Sequence, residues 1–181
     1  MEVMFIIPDD EALLPVAQQL LTAAGLAEGI EAMTEEQVNA AFKGCGYDKW
    51  LDRLTPTGTG IDIRMSLDSS GEVSLNHLAS WCVLETRYDA FLEFLGENFV
   101  GYKVRERQMA KVRVEVPSVL PGTNTHRRLS AMFGLVENHI AQLCIREYSI
   151  AQTSLEQIFN SFAAEQQEDA STIGQAAVTL N

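Results

Sequence analysis

Basic residues are scarce in this chain. Thirteen lysines and arginines stand against twenty-five aspartates and glutamates, giving a formal net charge of −12 at pH 7. A surface with that balance repels phosphate backbones and anionic bilayers, which excludes general nucleic-acid or membrane-surface binding as a role. Cysteine is sparse too. Cys45, Cys82 and Cys144 lie far apart with no C-x-x-C pair, which excludes a disulfide framework or thiolate zinc site and fits reduced, buried thiols. His77, His126 and His139 share no ligand spacing with each other or with a cysteine, so no metal site is expected. Hydrophobic runs are short. None approaches the ~18 residues needed to cross a bilayer. The start, MEVMFIIPDDEALLP, has no basic region ahead of a long apolar stretch, so neither a span nor a signal peptide is expected, and the chain reads as cytoplasmic.

Catalytic motifs are missing as well. There is no G-x-x-x-x-G-K-[ST] loop to cradle phosphates, and the glycines of KGCGY and TPTGTGI read as turns. No nucleophile, base and orienting acid are brought together by any motif. The expectation is therefore a non-enzyme, with no catalytic residue and no cofactor.

What the chain has is enough apolar content for a core: 46% hydrophobic over 181 residues, compatible with one or two small domains. Its charge is uneven. Residues 1–57 carry ten acids and three bases, whereas 58–165 carry thirteen acids and ten bases. The first segment reads as mostly helical and acidic, with a strand at VMFIIP, a helix around EALLPVAQQLLTAAG and a second helix capped at TEEQ.

From Gly58 the pattern reads as alternating elements. GIDIRMSL alternates Ile61, Ile63, Met65 with Asp62, Arg64, Ser66, a period of two that predicts a strand. Leu84, Tyr88, Phe91 and Leu95 recur at helical spacing. YKVRERQMAKVRVEVP predicts two strands, closed by Pro117. Leu129, Phe133, Val136 and Ile140 predict a helix capped at Asn124 or Thr125, and LCIREYSI a last strand. The order β-α-β-β-α-β is that of an α+β, ferredoxin-like split βαβ fold, an antiparallel sheet with both helices on one face. The expected boundaries are 58–165 for this domain and 166–181 for a disordered tail.

Two features point to interaction. Lys103, Arg105 and Arg107 alternate on one predicted strand and Lys111 and Arg113 on the next, so the open sheet face is expected to carry a basic patch that docks an acidic protein surface. The outward positions Lys111, Arg113 and Glu115 include no aromatic on which a base could stack, which argues against an RNA-recognition module. Beyond the last strand, Ser154 and Gln157 have capping-box spacing, and Leu155, Ile158, Phe159 and Phe162 form an apolar stripe. A helix over 154–163 is therefore predicted as an anchoring brace or an interface.

These residues carry a family resemblance. YSIAQTSLEQIFNSFAAEQ is similar to the carboxy-terminal stretch of the regulatory domain in subfamily A of the ABC transporters, the matching positions being Tyr148, Ser149, Gln152, Thr153, Leu155, Gln157, Ile158 and Phe159. FLEFLGENFVGYKVRERQMAKVRVEVP resembles the same domain's helix, Phe-x-Gly turn and hairpin through Phe99, Gly101, Glu106, Arg107 and Pro117. GTGIDIRM also resembles the strand that opens that domain. After Phe159 the family continues V-N-F, where this chain has Asn160, Ser161 and Phe162, and the Walker motifs, signature loop and membrane helices are missing. The resemblance implies a cytosolic, non-catalytic domain of a lipid transporter that packs against a paired regulatory domain or a nucleotide-binding domain and restrains the ATPase units. The net charge of −12 and the short apolar runs add the expectation of no nucleic-acid partner and no direct membrane insertion. The alternative is a free-standing ferredoxin-like ligand sensor that dimerises through its sheet.

Overall fold

Strand β1 (Glu2–Phe5) is drawn into the middle of a four-stranded sheet with β4 (Lys103–Gln108), β5 (Lys111–Glu115) and β6 (Ile145–Ser149), in the order β4-β5-β1-β6 and antiparallel throughout. The structure is a computed structural model and describes residues 1–7, 9–119, 122 and 125–151. The predicted helix at 154–163 and tail at 166–181 lie outside the described residues.

Counting sheet strands alone in chain order, the lateral order is second, third, first, fourth, the arrangement of a split βαβ, ferredoxin-like sheet. Val3 and Phe5 of β1, Val112 and Val114 of β5 and Ile145 of β6 are buried together on one face. Two helices cover that face. Phe91 of α4 (Leu75–Asn98) meets Phe5 edge-on at 5.7 Å, and Phe133 of α5 (Leu129–Glu137) meets Tyr148 of β6 at 5.7 Å. Helix α5 opens at Leu129 behind Arg128, with no side-chain cap; the predicted cap at Asn124 or Thr125 gives way because the helix starts several residues later.

The α+β class and the β-α-β-β-α-β order hold, but the opening strand does not come from GIDIRMSL. That segment is helix α3 (Ile61–Ser70). Its period of two coexists with a period of four: Ile63 and Leu67 are buried, Met65 is 61% exposed, and Arg64 bridges to Asp68 one turn on. Gly71 ends the helix at φ +80, a left-handed position that suits glycine. With no partner strand alongside, the helical periodicity decides.

Between β1 and α4 the chain builds a helical lobe. It contains α1 (Asp10–Ala23), β2 (Ala32–Thr34), α2 (Glu35–Cys45), a 3₁₀ turn (Asp48–Arg53), α3 and β3 (Glu72–Ser74). Thr34 and Gln37 form a reciprocal capping box at α2, as TEEQ predicts. Strands β2 and β3 pair antiparallel, Met33 opposite Val73, and both side chains turn into the lobe's core. That core is rich in rings: Phe42 stacks on Trp81 at 6.0 Å and Tyr47 on Trp50 at 4.2 Å. All three cysteines are free thiols; Cys82 is buried and the other two half-buried.

Helix α4 belongs to both halves. Over its 24 residues, Leu75, Leu78, Ala79 and Cys82 pack into the lobe, whereas Phe91, Phe94 and Leu95 are buried further along, where Phe91 lies under the sheet. Where the two apolar stretches meet, the helix presents Glu85 and Asp89 instead.

Candidate interaction surface

The sheet leaves its other face to solvent, and pairing dictates what stands there. In β4 and β5, Lys103 is opposite Glu115, Glu106 opposite Arg113 and Gln108 opposite Lys111. Residues opposite one another share a face. In β1, Glu2 is opposite Arg113 on one side and Ser149 on the other, and Met4 is opposite Lys111 and Glu147. The cations Lys103, Arg105, Lys111 and Arg113 thus alternate with the acids Glu2, Glu106, Glu115 and Glu147. Lys111 Nζ is 3.0 Å from Glu2, Arg113 is 3.5 Å from both Glu2 and Glu106, and Arg105 donates to Glu115 at 2.6 Å. Hydrogen bonding and charge from Lys111, joined by Arg113, hold the Glu2 carboxyl below its ordinary pKa. The expected basic patch is therefore a lattice of both signs. Sequence alone could not supply Glu2, which reaches the face through a strand more than a hundred residues away.

Arg107 leaves this face altogether. A bulge between Val104 and Glu106 shifts the register, so Arg107 pairs with Val112 and turns inward beside the core. Its side chain is 8% exposed, makes a bidentate pair with Glu85 at 3.0 and 2.7 Å, and lies 3.8 Å above the ring of Tyr88. Its Nε is buried without a hydrogen-bond partner.

Glu85, itself 0% exposed, also accepts from Arg53 of the 3₁₀ turn, so one carboxylate holds a lobe arginine and a sheet arginine. One helical turn on, Asp89 accepts from Arg53 at 2.7 Å, Trp50 Nε1 at 2.9 Å and Lys49 at 2.8 Å. The sequence carried one signal for this cluster. Two acids at i and i+4 in an apolar helix repel each other and call for cations from elsewhere in the fold.

Burial pushes the Asp89 carboxyl up, but the hydrogen bonds from Lys49, Trp50 and Arg53 outweigh it, and the net pKa lies below the ordinary value. A depressed folded-state pKa gives stability that is present above the unfolded value of roughly 3.9 and lost as pH falls through the folded one. In thermal unfolding against pH, the wild type should lose more stability than Asp89→Asn below about pH 4. Parallel profiles would refute this role for Asp89.

Comparison with known proteins finds similarity over part of the chain. A stretch of 76 residues, 42% of the chain, is 37% identical to part of the retinal-specific phospholipid-transporting ATPase ABCA4 of Mus musculus. The Homo sapiens protein of that name is 36% identical over 76 residues, and the ATP-binding cassette sub-family A member 2 of Rattus norvegicus is 30% identical over 78 residues, 43% of the chain. This stretch is related to ABC transporter subfamily A. The chain spans 3% of the length of each of these relatives. Neither a protein-family model nor a solved structure matches it.

The structure gives physical roles to the positions on which the subfamily A resemblance rests. Phe99 is fully buried and meets Phe94 edge-on at 5.9 Å. Gly101 sits at φ +84, where a Cβ would come within 3.3 Å of Pro117, so the Phe-x-Gly turn and the proline fit as one unit. Glu106 is on the open face. The Tyr148 hydroxyl donates to Glu137 at 2.6 Å, fastening β6 to α5, and desolvation together with that bond pushes its pKa up to about 12. Leu155, Ile158, Phe159 and Phe162 lie outside the described residues. Among the described residues, no helix is long and apolar enough to cross a membrane.

Proposed function

We propose that the chain supplies a non-catalytic regulatory domain of, or related to, a subfamily A lipid transporter. On this reading it acts in the cytoplasm, pairs with a second regulatory domain or with a nucleotide-binding domain, and restrains the ATPase units. The observation that carries the reading is the 76-residue similarity to phospholipid-transporting ATPases of that subfamily. The ferredoxin-like sheet adds a suitable docking surface, because its exposed face is charged, ordered by ion pairs and free of covering helices among the described residues. Charged lattices of this kind set register and encounter rate more than affinity.

The test uses the whole chain and a purified nucleotide-binding half of a subfamily A transporter. Reversal of Arg105 and Arg113 to glutamate should slow association about tenfold, and added salt should slow the wild type similarly. The chain alone should neither bind nor hydrolyse ATP at micromolar concentrations. Unaltered association kinetics would sink the docking role, and hydrolysis abolished by a point change in this chain would sink the non-catalytic one.

A second reading follows from the same face. Four cations interleaved with four acids form a surface that can be complementary to itself across a two-fold axis. A free-standing sensor would then sediment as a dimer that salt dissociates, in the absence of any transporter component.

A further inference from the structure

The lobe consists of two helix–strand–helix units, α1-β2-α2 and α3-β3-α4, joined through β2 and β3. In the second unit, number the residues from Ser66. Gly71 is then sixth, with φ +80, Val73 is eighth and opposite Met33, and α4 has started by the tenth residue, Leu75. A glycine at six that permits the sharp turn, a paired strand over places seven to nine and an outgoing helix from place ten match the second half of an EF hand, whereas places one to five continue the incoming helix α3.

The donors differ from those of a calcium site. Calcium takes oxygen from positions one, three, five, seven through its carbonyl, nine and twelve, the last a bidentate glutamate. Here these are Ser66, Asp68, Ser70, Glu72, Ser74 and His77. Apart from Glu72, whose place ligates through its backbone carbonyl, the one carboxylate among them is Asp68, and it is held by Arg64 at 2.5 Å. Ser70 Oγ lies 2.8 Å from the carbonyl oxygens of both Ser66 and Glu72, so an internal hydroxyl serves the carbonyl that an ion would take. In the first unit the equivalent places one and five are Leu26 and Ile30, packed against the core, while Thr34 and Gln37 are committed to the capping box.

We infer that the lobe is a pair of EF hands whose ions have been replaced by internal hydrogen bonds and apolar packing, the first five places of the Ser66–His77 segment being wound into the end of α3. The lobe is a brace for α4, and calcium does not gate the sheet that α4 carries.

The experiment measures thermal unfolding and calorimetric calcium binding of the full chain, with calcium chloride and then EDTA. For the wild type, about 1 mM calcium should leave the Tm unchanged and give no binding heat. The variant Ser66→Asp/Ser70→Asp/His77→Glu restores carboxylates at one, five and twelve and should bind calcium with Kd about 10⁻⁴–10⁻³ M, with a Tm rise that EDTA reverses. If loss of the Ser70 hydroxyl prevents folding in the absence of ion, recovery of circular dichroism on calcium addition reports the same site. Should that variant stay unfolded, Ser66→Asp/His77→Glu, which keeps Ser70, decides by the same readouts. Calcium binding by the wild type, or folded variants indifferent to calcium, would overturn the inference.

Discussion

Replacing Glu85 with alanine should lower the unfolding free energy by about 3–5 kcal/mol, a large share of the roughly 5–15 kcal/mol available to a domain. The carboxylate is fully buried and faces Arg107, whose side chain is 8% exposed, and Arg53, which is one-quarter exposed. Removing it strands the Arg107 guanidinium inside the protein with Tyr88 as its remaining neighbour of note, because β4 holds it on the inner face of the sheet. The cost comes from the uncompensated charge and not from the net value of the pair. Desolvation cancels much of what a buried ion pair gains, so Glu85→Leu combined with Arg107→Met should recover most of the loss. Urea unfolding of the two variants measures both effects. A Glu85→Ala cost below about 1 kcal/mol, the range of an exposed pair, would refute the buried-node description.

The second large effect concerns the first strand. Phe5→Ala should cost about 3–5 kcal/mol, because the ring is fully buried, packs edge-on against Phe91 and leaves a cavity in the sheet's core when removed. A chain beginning at Gly58 should fare worse. Strands β5 and β6 are not neighbours; each pairs with β1, through Val3 opposite Val112 and Val3 opposite Tyr148. Without β1 both would present unpaired inner edges to water. Near-ultraviolet circular dichroism and denaturant titration of residues 58–181 should show no cooperative transition. A cooperative transition close to that of the full chain would show that β1 is dispensable.

Much of the sheet half was legible in the sequence. Val112 and Val114 alternate with charged neighbours in β5, and Phe91 and Leu95 recur one turn apart in α4, so local period and burial agreed. The error at Ile61–Ser70 arose where the two periods coincide: Ile61, Ile63 and Met65 satisfy one, Ile63 and Leu67 the other. A segment of that kind is decided by which side chains find a core, and only the fold supplies that information. The strand VMFIIP was recognisable, yet its place at the centre of the sheet was not, because no local signal reports a partner a hundred residues away.

The same division runs through the interaction surface. Composition and spacing determined that this acidic chain concentrates cations on two adjacent strands and carries acids a helical turn apart in α4. Tertiary structure decided what those charges meet. A single-residue bulge moved Arg107 from the open face to Glu85, and the pairing of β1 put Glu2 between Lys111 and Arg113. Helical and strand periods are short-range consequences of backbone geometry and can be read from a few residues. Register, charge pairing and burial depend on which distant segments come together, and that is set by the packing of the whole chain.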